Sequence, residues 1–143
     1  MFNKEIFRLK RDKIILSTLA IVAILFGLAT IKEGSAVLLF DPTARIKAGN
    51  YVPFVVWANV FAGFLYIATG VAILIENKWA KWMSILLALF TTGIFIALGV
   101  HIITGGLYEL RTVIAMTIRT AFWIIVAFLI TFLNNKNILG EKI

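Results

Sequence analysis

The chain has 143 residues, 62% of them hydrophobic, and a mean hydropathy of +1.00. A water-soluble domain of this size cannot bury so much apolar surface, so the composition excludes a soluble globular protein and indicates that lipid surrounds most of the chain. The net charge of +7 would favour a nucleic-acid partner in a soluble protein, but here it is distributed as a membrane topology signal, and we expect no nucleic-acid partner. The absence of cysteine excludes disulfides, iron–sulfur ligation and dithiol redox chemistry within the chain.

Four apolar runs are long enough to cross a hydrocarbon core of about 30 Å, which needs about 20 helical residues. We call them segments one to four, and they are Ile14–Ile31, Val52–Ile75, Trp82–Ile103 and Thr112–Leu133. They lack the alternation of apolar and polar residues that barrel strands require. Segment one is too long for the apolar core of a signal peptide and no A-x-A-like site follows it, so we expect it to stay in the mature protein. The sequence predicts a single all-α domain over residues 1–143, an antiparallel four-helix membrane bundle.

The basic residues between the segments predict the topology. Nine cations share one side of the predicted bundle: Lys4, Arg8, Lys10, Arg11, Lys13, Lys78, Lys81, Lys136 and Lys142. Four lie on the other side: Lys32, Arg45, Lys47 and Arg111. By the positive-inside rule, both termini face the cytoplasm. We therefore expect a multi-pass protein of the bacterial cytoplasmic (inner) membrane, with the lipid bilayer as its first partner.

The longest connection, Lys32–Tyr51, lies on the outer side and carries its own helix signal. Asp41 is a suitable N-cap, and Pro42 follows it at the first helical position. Gly49 is a suitable C-terminal stop. The sequence predicts a short helix over Pro42–Ala48 that rests on the outer interface.

Small and polar residues at helical spacing predict which faces meet other helices, because close packing and interhelical hydrogen bonds hold membrane bundles together. Segments one to three carry such stripes: Ala23 and Gly27; Asn59, Gly63, Tyr66 and Gly70; Gly93, Ala97 and His101. A chain this small also favours self-association or a partner in a membrane complex. We therefore expect a homo-oligomer or a subunit of a larger assembly.

Arg119 is the most informative ionisable residue, since a charge inside a membrane is costly and usually has a partner or a polar cavity. It lies seven positions inside segment four, about 10 Å deep at 1.5 Å per residue. Asn59 lies at a similar depth in segment two, so we expect its carbonyl oxygen to accept from the guanidinium. Glu109 is the expected counter-charge of Arg111 or Arg119, and Glu33 is a second candidate.

Segment four has one face of polar and polarisable side chains, because Thr112, Met116, Arg119 and Trp123 follow helical spacing. We expect the opposite face, with Phe122 and Ile125, to meet lipid.

The polar residues near the outer ends of segments two to four predict one site. Its members are Asn59, His101, Tyr108, Glu109, Arg111 and Arg119, with Glu33, Trp57 and Met116 as further candidates. Two interpretations stay open: a site that binds a small anion or polar headgroup, or conducts protons, and an ion-pair network that only locks the helix ends together.

Enzymatic and metal chemistry have little support in the sequence. There is no set of nucleophile, base and orienting residue, so we expect no catalytic residues. A single His with scattered carboxylates does not predict a metal site. The only pair of haem ligands on offer is His101 with Met116, and no spacing supports it.

Two stretches resemble a known family. YVPFVVWAN at residues 51–59, with FAG at 61–63 and a short basic turn, resembles the second-helix region of DoxX-like four-helix membrane proteins. GGLYELRT at 105–112, AM at 115–116 and RT at 119–120 resemble a largely uncharacterised bacterial group near that family. The likeness covers roughly residues 50–127. Some DoxX-like members are named as subunits of quinone-linked oxidoreductases, so the resemblance implies quinone as a candidate cofactor, although it carries no ligand residue over to this chain.

Together these observations favour a non-enzymatic role. The first hypothesis is a small membrane protein that binds or passes a small polar or anionic solute, or serves as an accessory membrane subunit. The alternative is a quinone-associated accessory subunit of a redox complex, with quinone beside Trp57, Tyr108 and Arg119.

Overall fold

The computed structural model describes the backbone of residues 2–140 and the side chains of residues 8–135. Over this range the chain is all-α. The helices are α1 (Phe2–Ser35), α2 (Pro42–Ala48), α3 (Pro53–Leu74), α4 (Ala80–Ile103) and α5 (Leu110–Gly140), and a π-helical turn (Ala36–Phe40) joins α1 to α2. Helices α1, α3, α4 and α5 are each long and apolar enough to span a membrane, which confirms the predicted four-helix bundle.

The helix ends differ from the predicted segments where basic or polar residues continue a helix beyond its apolar part. Helices α3 and α4 match segments two and three to within two residues. Helix α1 begins at Phe2 rather than Ile14, and α5 runs on to Gly140. Lysine and arginine are good helix formers, so the basic residues before segment one extend the helix instead of ending it. Hydropathy marks only the part of each helix that lies in lipid.

The predicted short helix is confirmed as α2, with the predicted bounds and caps. The Asp41 carboxylate accepts a hydrogen bond from the Thr43 amide at 2.8 Å, and Pro42 occupies the first turn. Gly49 ends the helix with a φ of +64°, a conformation that costs glycine little. The Arg45 guanidinium donates to the carbonyls of Val37 and Leu38 at 3.1 and 2.9 Å. These bonds fasten α2 to the π-helical turn.

Helices α1 and α3 pack with their backbones in close contact. A Cβ atom built on Gly27 would lie 2.6 Å from the Gly63 carbonyl oxygen, and one built on Gly70 would lie 2.8 Å from that of Ala20. This confirms the interfaces predicted for segments one and two. The stripe on segment three does not pack as a whole against another helix of the same chain, because Gly93 and Ala97 are exposed, and a Cβ on Gly93 would meet nothing within 4 Å. Helix α4 packs instead through larger side chains, including Leu87 and Leu98.

The backbones of α1 and α5 stay apart, and we call the boundary between these two helices the α1–α5 seam. Helix α1 packs along α3, and α4 packs against α3 and α5, whereas α1 and α5 make few contacts with each other. We call the end of the bundle that carries α2 the α2 end. The turn end carries the start of α1 and the connection between α3 and α4, which an ion pair of 2.9 Å between Lys13 and Glu76 joins. The α1–α5 seam therefore runs between these two ends.

Candidate functional site

A cavity of about 450 Å³ opens at the α2 end, and α1, α2, α3 and α5 contribute to its walls. We call it the α2-side cavity. Much of its wall is apolar, including Val37, Val55, Val56 and Ala115. Its charged and amide side chains are Lys32, Glu33, Lys47, Asn59, Glu109, Arg111 and Arg119. Five of the predicted site residues, Glu33, Asn59, Glu109, Arg111 and Arg119, thus line a single cavity.

Arg119 is the deepest charge of the cavity. It follows Leu110, the start of α5, by nine residues, or about 13 Å of helix. Its side chain is only 9% exposed. The four apolar segments within α1, α3, α4 and α5 contain no other Lys, Arg, Asp or Glu residue. The bundle therefore places a single buried cation in the wall of the cavity.

The partners of Arg119 differ from the prediction. Its Nη2 atom donates to the Thr30 hydroxyl at 3.3 Å, and its Cζ atom lies 5.2 Å from the centre of the Phe26 ring. Its Nε atom is buried without a hydrogen-bond partner. The predicted bonds from Asn59 and Glu109 are wrong, because α1 rather than α3 supplies the acceptor. Depth along a helix cannot tell which neighbour a side chain faces.

No carboxylate neutralises Arg119 directly. Among the described residues the ion pairs are Arg11 with Asp12 and Lys13 with Glu76, and neither involves the cavity. Glu33 attracts the guanidinium electrostatically from the cavity wall without forming an ion pair. The locking network that the sequence left open is therefore absent around Arg119 in the described part of the chain.

Glu109 and Arg111 fasten the cover of the cavity instead. A Glu109 oxygen accepts from the Asn50 amide at 2.8 Å, and Arg111 Nη2 donates to the Lys47 carbonyl at 2.6 Å. Glu109 and Arg111 thus do not pair with each other as predicted. Arg111 bonds to Lys47 at the end of α2, and Glu109 bonds to Asn50, the residue after Gly49. The arginine adds a cation to the last turn of α2, where the helix dipole favours positive charge. Both residues hold α2 over the mouth of the cavity.

The remaining predicted residues lie elsewhere. The His101 Nε2 atom lies 3.0 Å from the Leu107 carbonyl oxygen, so this histidine holds the loop between α4 and α5. Met116 is fully buried in an apolar cluster with Val52, Val55 and Leu98, where it fills the core.

Trp57 and Tyr108, the aromatic residues of the predicted quinone site, do not line the cavity with Arg119. Trp57 is 53% exposed on α3, and Tyr108 is 42% exposed before α5. The predicted quinone site of Trp57, Tyr108 and Arg119 is therefore not assembled.

An aromatic cluster lies beneath Arg119 in the centre of the bundle. It consists of Phe26, Tyr66, Phe122 and Trp123, with ring centroids 5.0–6.1 Å apart. The prediction that Met116, Arg119 and Trp123 share a face turned into the bundle is confirmed, as is the exposure of Ile125. The placement of Phe122 against lipid is wrong, because its ring packs edge-on against Phe26 and Trp123.

Sequence reasoning missed Thr30 and Phe26, the two α1 residues in contact with Arg119. Thr30 is 3% exposed, which places a hydroxyl inside the bundle. The available signal was its position three residues after Gly27, which puts the two on neighbouring parts of one helix face. Phe26 carried no such signal, since apolar aromatic residues occur on every face of these helices.

A second cavity, of about 350 Å³, lies at the turn end, and we call it the turn-side cavity. Helix α1 contributes Lys13 and Ser17, the α3–α4 connection contributes Glu76 and Lys78, and α5 contributes Ile130, together with further residues. It therefore lies at the other end of the α1–α5 seam. The basic residues Lys13, Lys78 and Lys81 give its rim a positive charge that Asp12 and Glu76 balance in part.

No family model matches the chain, and neither the curated proteins nor the solved structures contain a significant match. Within the described residues, no three or more His, Asp and Glu side chains gather in a way that could hold a metal ion. The chemistry that the α2-side cavity offers is that of a guanidinium donor in an apolar surrounding.

Proposed function

We propose that this protein binds a small anion in the α2-side cavity, with Arg119 as the anchor. The protein lies in the bacterial cytoplasmic membrane with both termini in the cytoplasm, so that the cavity opens toward the periplasm. The sequence supports this orientation, because nine cations precede segment one, follow segment four or lie between segments two and three, against four in the other connections.

The observation that carries the proposal is the missing counter-ion of Arg119. A buried charge is retained in a membrane bundle only with compensation, and here a 3.3 Å hydrogen bond and one aromatic ring provide it. The Nε donor has no acceptor in the protein. An anion that enters the cavity supplies the missing charge and the missing acceptor together.

The walls of the cavity favour an anion with a short apolar part. Carboxylates match the planar donor array of a guanidinium, and hydrogen bonds between charged groups are roughly twice as strong as neutral ones. The valine and alanine side chains of the cavity wall offer apolar contact, and Asn59, Lys32, Lys47 and Arg111 offer further donors. The cavity volume lies within the range of about 300–1,000 Å³ typical of small-molecule sites. Short-chain monocarboxylates fit these features best.

Thermal unfolding of the protein in lipid nanodiscs tests the proposal. Butyrate should raise the melting temperature, whereas butyramide, which has nearly the same shape without the charge, should not. A ligand at one hundred times its dissociation constant stabilises the folded state by about 2.7 kcal/mol, which is a shift of several degrees. Phosphate at equal ionic strength distinguishes a general anion site from a carboxylate site. Equal behaviour of butyrate, phosphate and butyramide would contradict the proposal.

The orientation has its own test. A reporter enzyme that is active only in the periplasm should give a strong signal when inserted at Lys47 and none when fused after Ile143. The expected contrast follows from the distribution of cations between the two ends. The reverse pattern would place the α2-side cavity on the cytoplasmic side and end the proposed topology.

A second candidate is the quinone-associated accessory subunit that the likeness to DoxX-like proteins implies. One observation favours it: the unpaired Nε donor of Arg119 lies beside the aromatic cluster, where a quinone carbonyl oxygen would find a donor and aromatic contacts. Extraction of lipids from the purified protein decides between the candidates. Co-purified quinone at a fixed ratio to protein would favour the redox role, and its absence would favour the anion site.

A further inference from the structure

The two cavities lie at opposite ends of the same seam, and a packed region separates them. On α5, Arg119 lines the α2-side cavity and Ile130, eleven residues or about 16 Å of helix further on, lines the turn-side cavity. On α3, Asn59 and Ile73 line the two cavities, and they are fourteen residues or about 21 Å apart. The barrier between the cavities is therefore shorter than the hydrocarbon core of about 30 Å.

This barrier contains buried polar atoms that lack ordinary hydrogen-bond partners. The Nε atom of Arg119 and the Thr69 hydroxyl have none among the described residues, and the Tyr66 hydroxyl and the Trp123 indole nitrogen have only each other. The side chains of Tyr66, Thr69 and Trp123 are completely buried. Native proteins leave few buried polar atoms without hydrogen bonds, and the hydrocarbon region holds no water that could pair with them. Each such atom therefore requires an explanation.

Thr69 is the most informative of these groups. Hydroxyl side chains in membrane helices commonly donate to the carbonyl four residues earlier, as Ser84 and Thr91 do here at 2.7 and 2.9 Å. Thr69 makes no such bond. Its position three residues after Tyr66 and four before Ile73 puts all three on one face of α3. A polar group is thus placed midway between the aromatic cluster and the turn-side cavity.

The charge of the barrier selects for anions. Arg119 is its one Lys, Arg, Asp or Glu residue, and beyond it lie neutral donors. A cation would meet an unneutralised arginine in a region of low dielectric constant, where repulsion is strong. An anion would meet successive donors on Arg119, Trp123, Tyr66 and Thr69.

We propose that the α1–α5 seam is a path along which the anion bound at Arg119 crosses to the turn-side cavity, lined by Tyr66, Thr69 and Trp123. This proposal rests on the proposed anion site and extends it from binding to passage. The aromatic cluster is the barrier that must move for passage to occur. The contacts that must break when α1 and α5 separate include those of Phe26 with Arg119 and Phe122 and the hydrogen bond from Arg119 to Thr30.

Cysteine accessibility tests the path, and the chain has no cysteine of its own to remove. Thr69→Cys is the test variant. Ala68→Cys is its matched control, since Ala68 is the neighbouring residue at the same depth but is exposed on the lipid-facing side of α3. A charged methanethiosulfonate reagent needs the thiolate, which forms in water and not in lipid, so Thr69→Cys should react at least about tenfold faster than Ala68→Cys.

Butyrate connects the path to the anion site. If the anion occupies the seam, saturating butyrate should slow the reaction of Thr69→Cys, and butyramide should not. Fast reaction without any effect of butyrate or phosphate would retain a hydrated seam but remove the proposed anion site. If the folded Thr69→Cys protein binds butyrate but reacts no faster than Ala68→Cys, the cavity is a closed binding site. That result would overturn the path.

A second measurement needs no variant. The indole N–H of Trp123, which is buried, should exchange with solvent deuterium while the protein stays folded, more slowly than that of Trp79, which is 60% exposed near the turn end. Protection of the Trp123 indole throughout the lifetime of the folded protein would overturn the path independently of any effect of a substitution on folding.

Discussion

Replacing Arg119 with leucine is expected to weaken anion binding strongly and leave the bundle folded. Hydrogen bonds to charged groups contribute about 1.5–3 kcal/mol, so loss of the guanidinium should weaken butyrate binding roughly 10- to 100-fold. Stability should stay equal or rise, because an arginine near a helix centre costs about 2.5–3.5 kcal/mol on insertion scales. The hydrogen bond to Thr30 is long at 3.3 Å, and the packing on the Phe26 ring contributes about 0.5–2 kcal/mol, so these contacts roughly offset that cost and their loss changes stability little.

Two further variants make this result specific. Arg119→Lys keeps the charge but loses the planar donor array, so it should retain part of the binding. Arg45→Leu removes another arginine of the α2 end that is outside the cavity wall and bonds to Val37 and Leu38, and it should leave the binding constant unchanged. Calorimetric titration with butyrate measures all three. A folded Arg119→Leu protein that binds butyrate like the wild type would refute the role of Arg119.

Replacing Gly63 with leucine is expected to separate α1 from α3 and to cause a much larger loss of stability than the same substitution at Gly93. Its Cβ would lie 2.7 Å from Ile31 Cγ1 and 3.0 Å from the backbone oxygen of Gly27, which cannot rotate away. Overpacking a core commonly costs about 1–3 kcal/mol, and contact with a backbone atom places this substitution at or above the upper end of that range. The midpoint of thermal or denaturant unfolding in nanodiscs measures the effect.

Gly93→Leu is the matched control, since a Cβ there would meet nothing within 4 Å and the residue is exposed on α4. It should leave stability unchanged or raise it slightly, because glycine in a helix costs about 0.5–1 kcal/mol relative to alanine. Loss of self-association in this variant, with an unchanged fold, would support the predicted homo-oligomer and locate its contact on α4. Equal destabilisation by both substitutions would contradict the described packing of α1 against α3.

Much of the fold was predictable because hydropathy and capping act locally. The apolar runs of α3 and α4 are long enough to span a membrane whatever they pack against. Asp41, Pro42 and Gly49 determine the ends of α2 through the backbone groups of neighbouring residues. The extensions of α1 and α5 were missed, because basic and polar residues hide a continuing helix from any hydropathy profile.

The rotation of each helix about its axis was predictable only where small residues met small residues. Gly27 and Gly63 point to the α1–α3 contact because only close approach explains them. The same reasoning did not predict the surroundings of Gly93 within the chain, since a small residue is also tolerated on an exposed face. Apolar residues surround every helix of a membrane protein, so burial leaves a weaker pattern in the sequence than it does in water.

The candidate site was predicted in part: five of its nine predicted residues line the α2-side cavity, and the bonds predicted between them do not form. Arg119 stood out because a charge inside a membrane is rare. Its partner on α1 did not, since the contact of Thr30 with Arg119 joins residues 89 positions apart. Glu109 was assigned to Arg111 or Arg119, but its carboxylate accepts from the Asn50 amide. That contact depends on the position of α2, which the whole connection from α1 to α3 determines.

The position of a bound anion tests the central claim most directly. Crystals grown with 3-bromopropionate, a short carboxylate that carries a bromine atom, give an anomalous signal that marks the ligand. We expect the carboxylate on the Arg119 guanidinium and the bromine among the apolar residues of the α2-side cavity, near Val55 and Val56. The anomalous signal of the bromine and the electron density of the carboxylate should both vanish from the cavity in Arg119→Leu. Bromine bound elsewhere on the wild-type protein, with no density on Arg119, would contradict the claim.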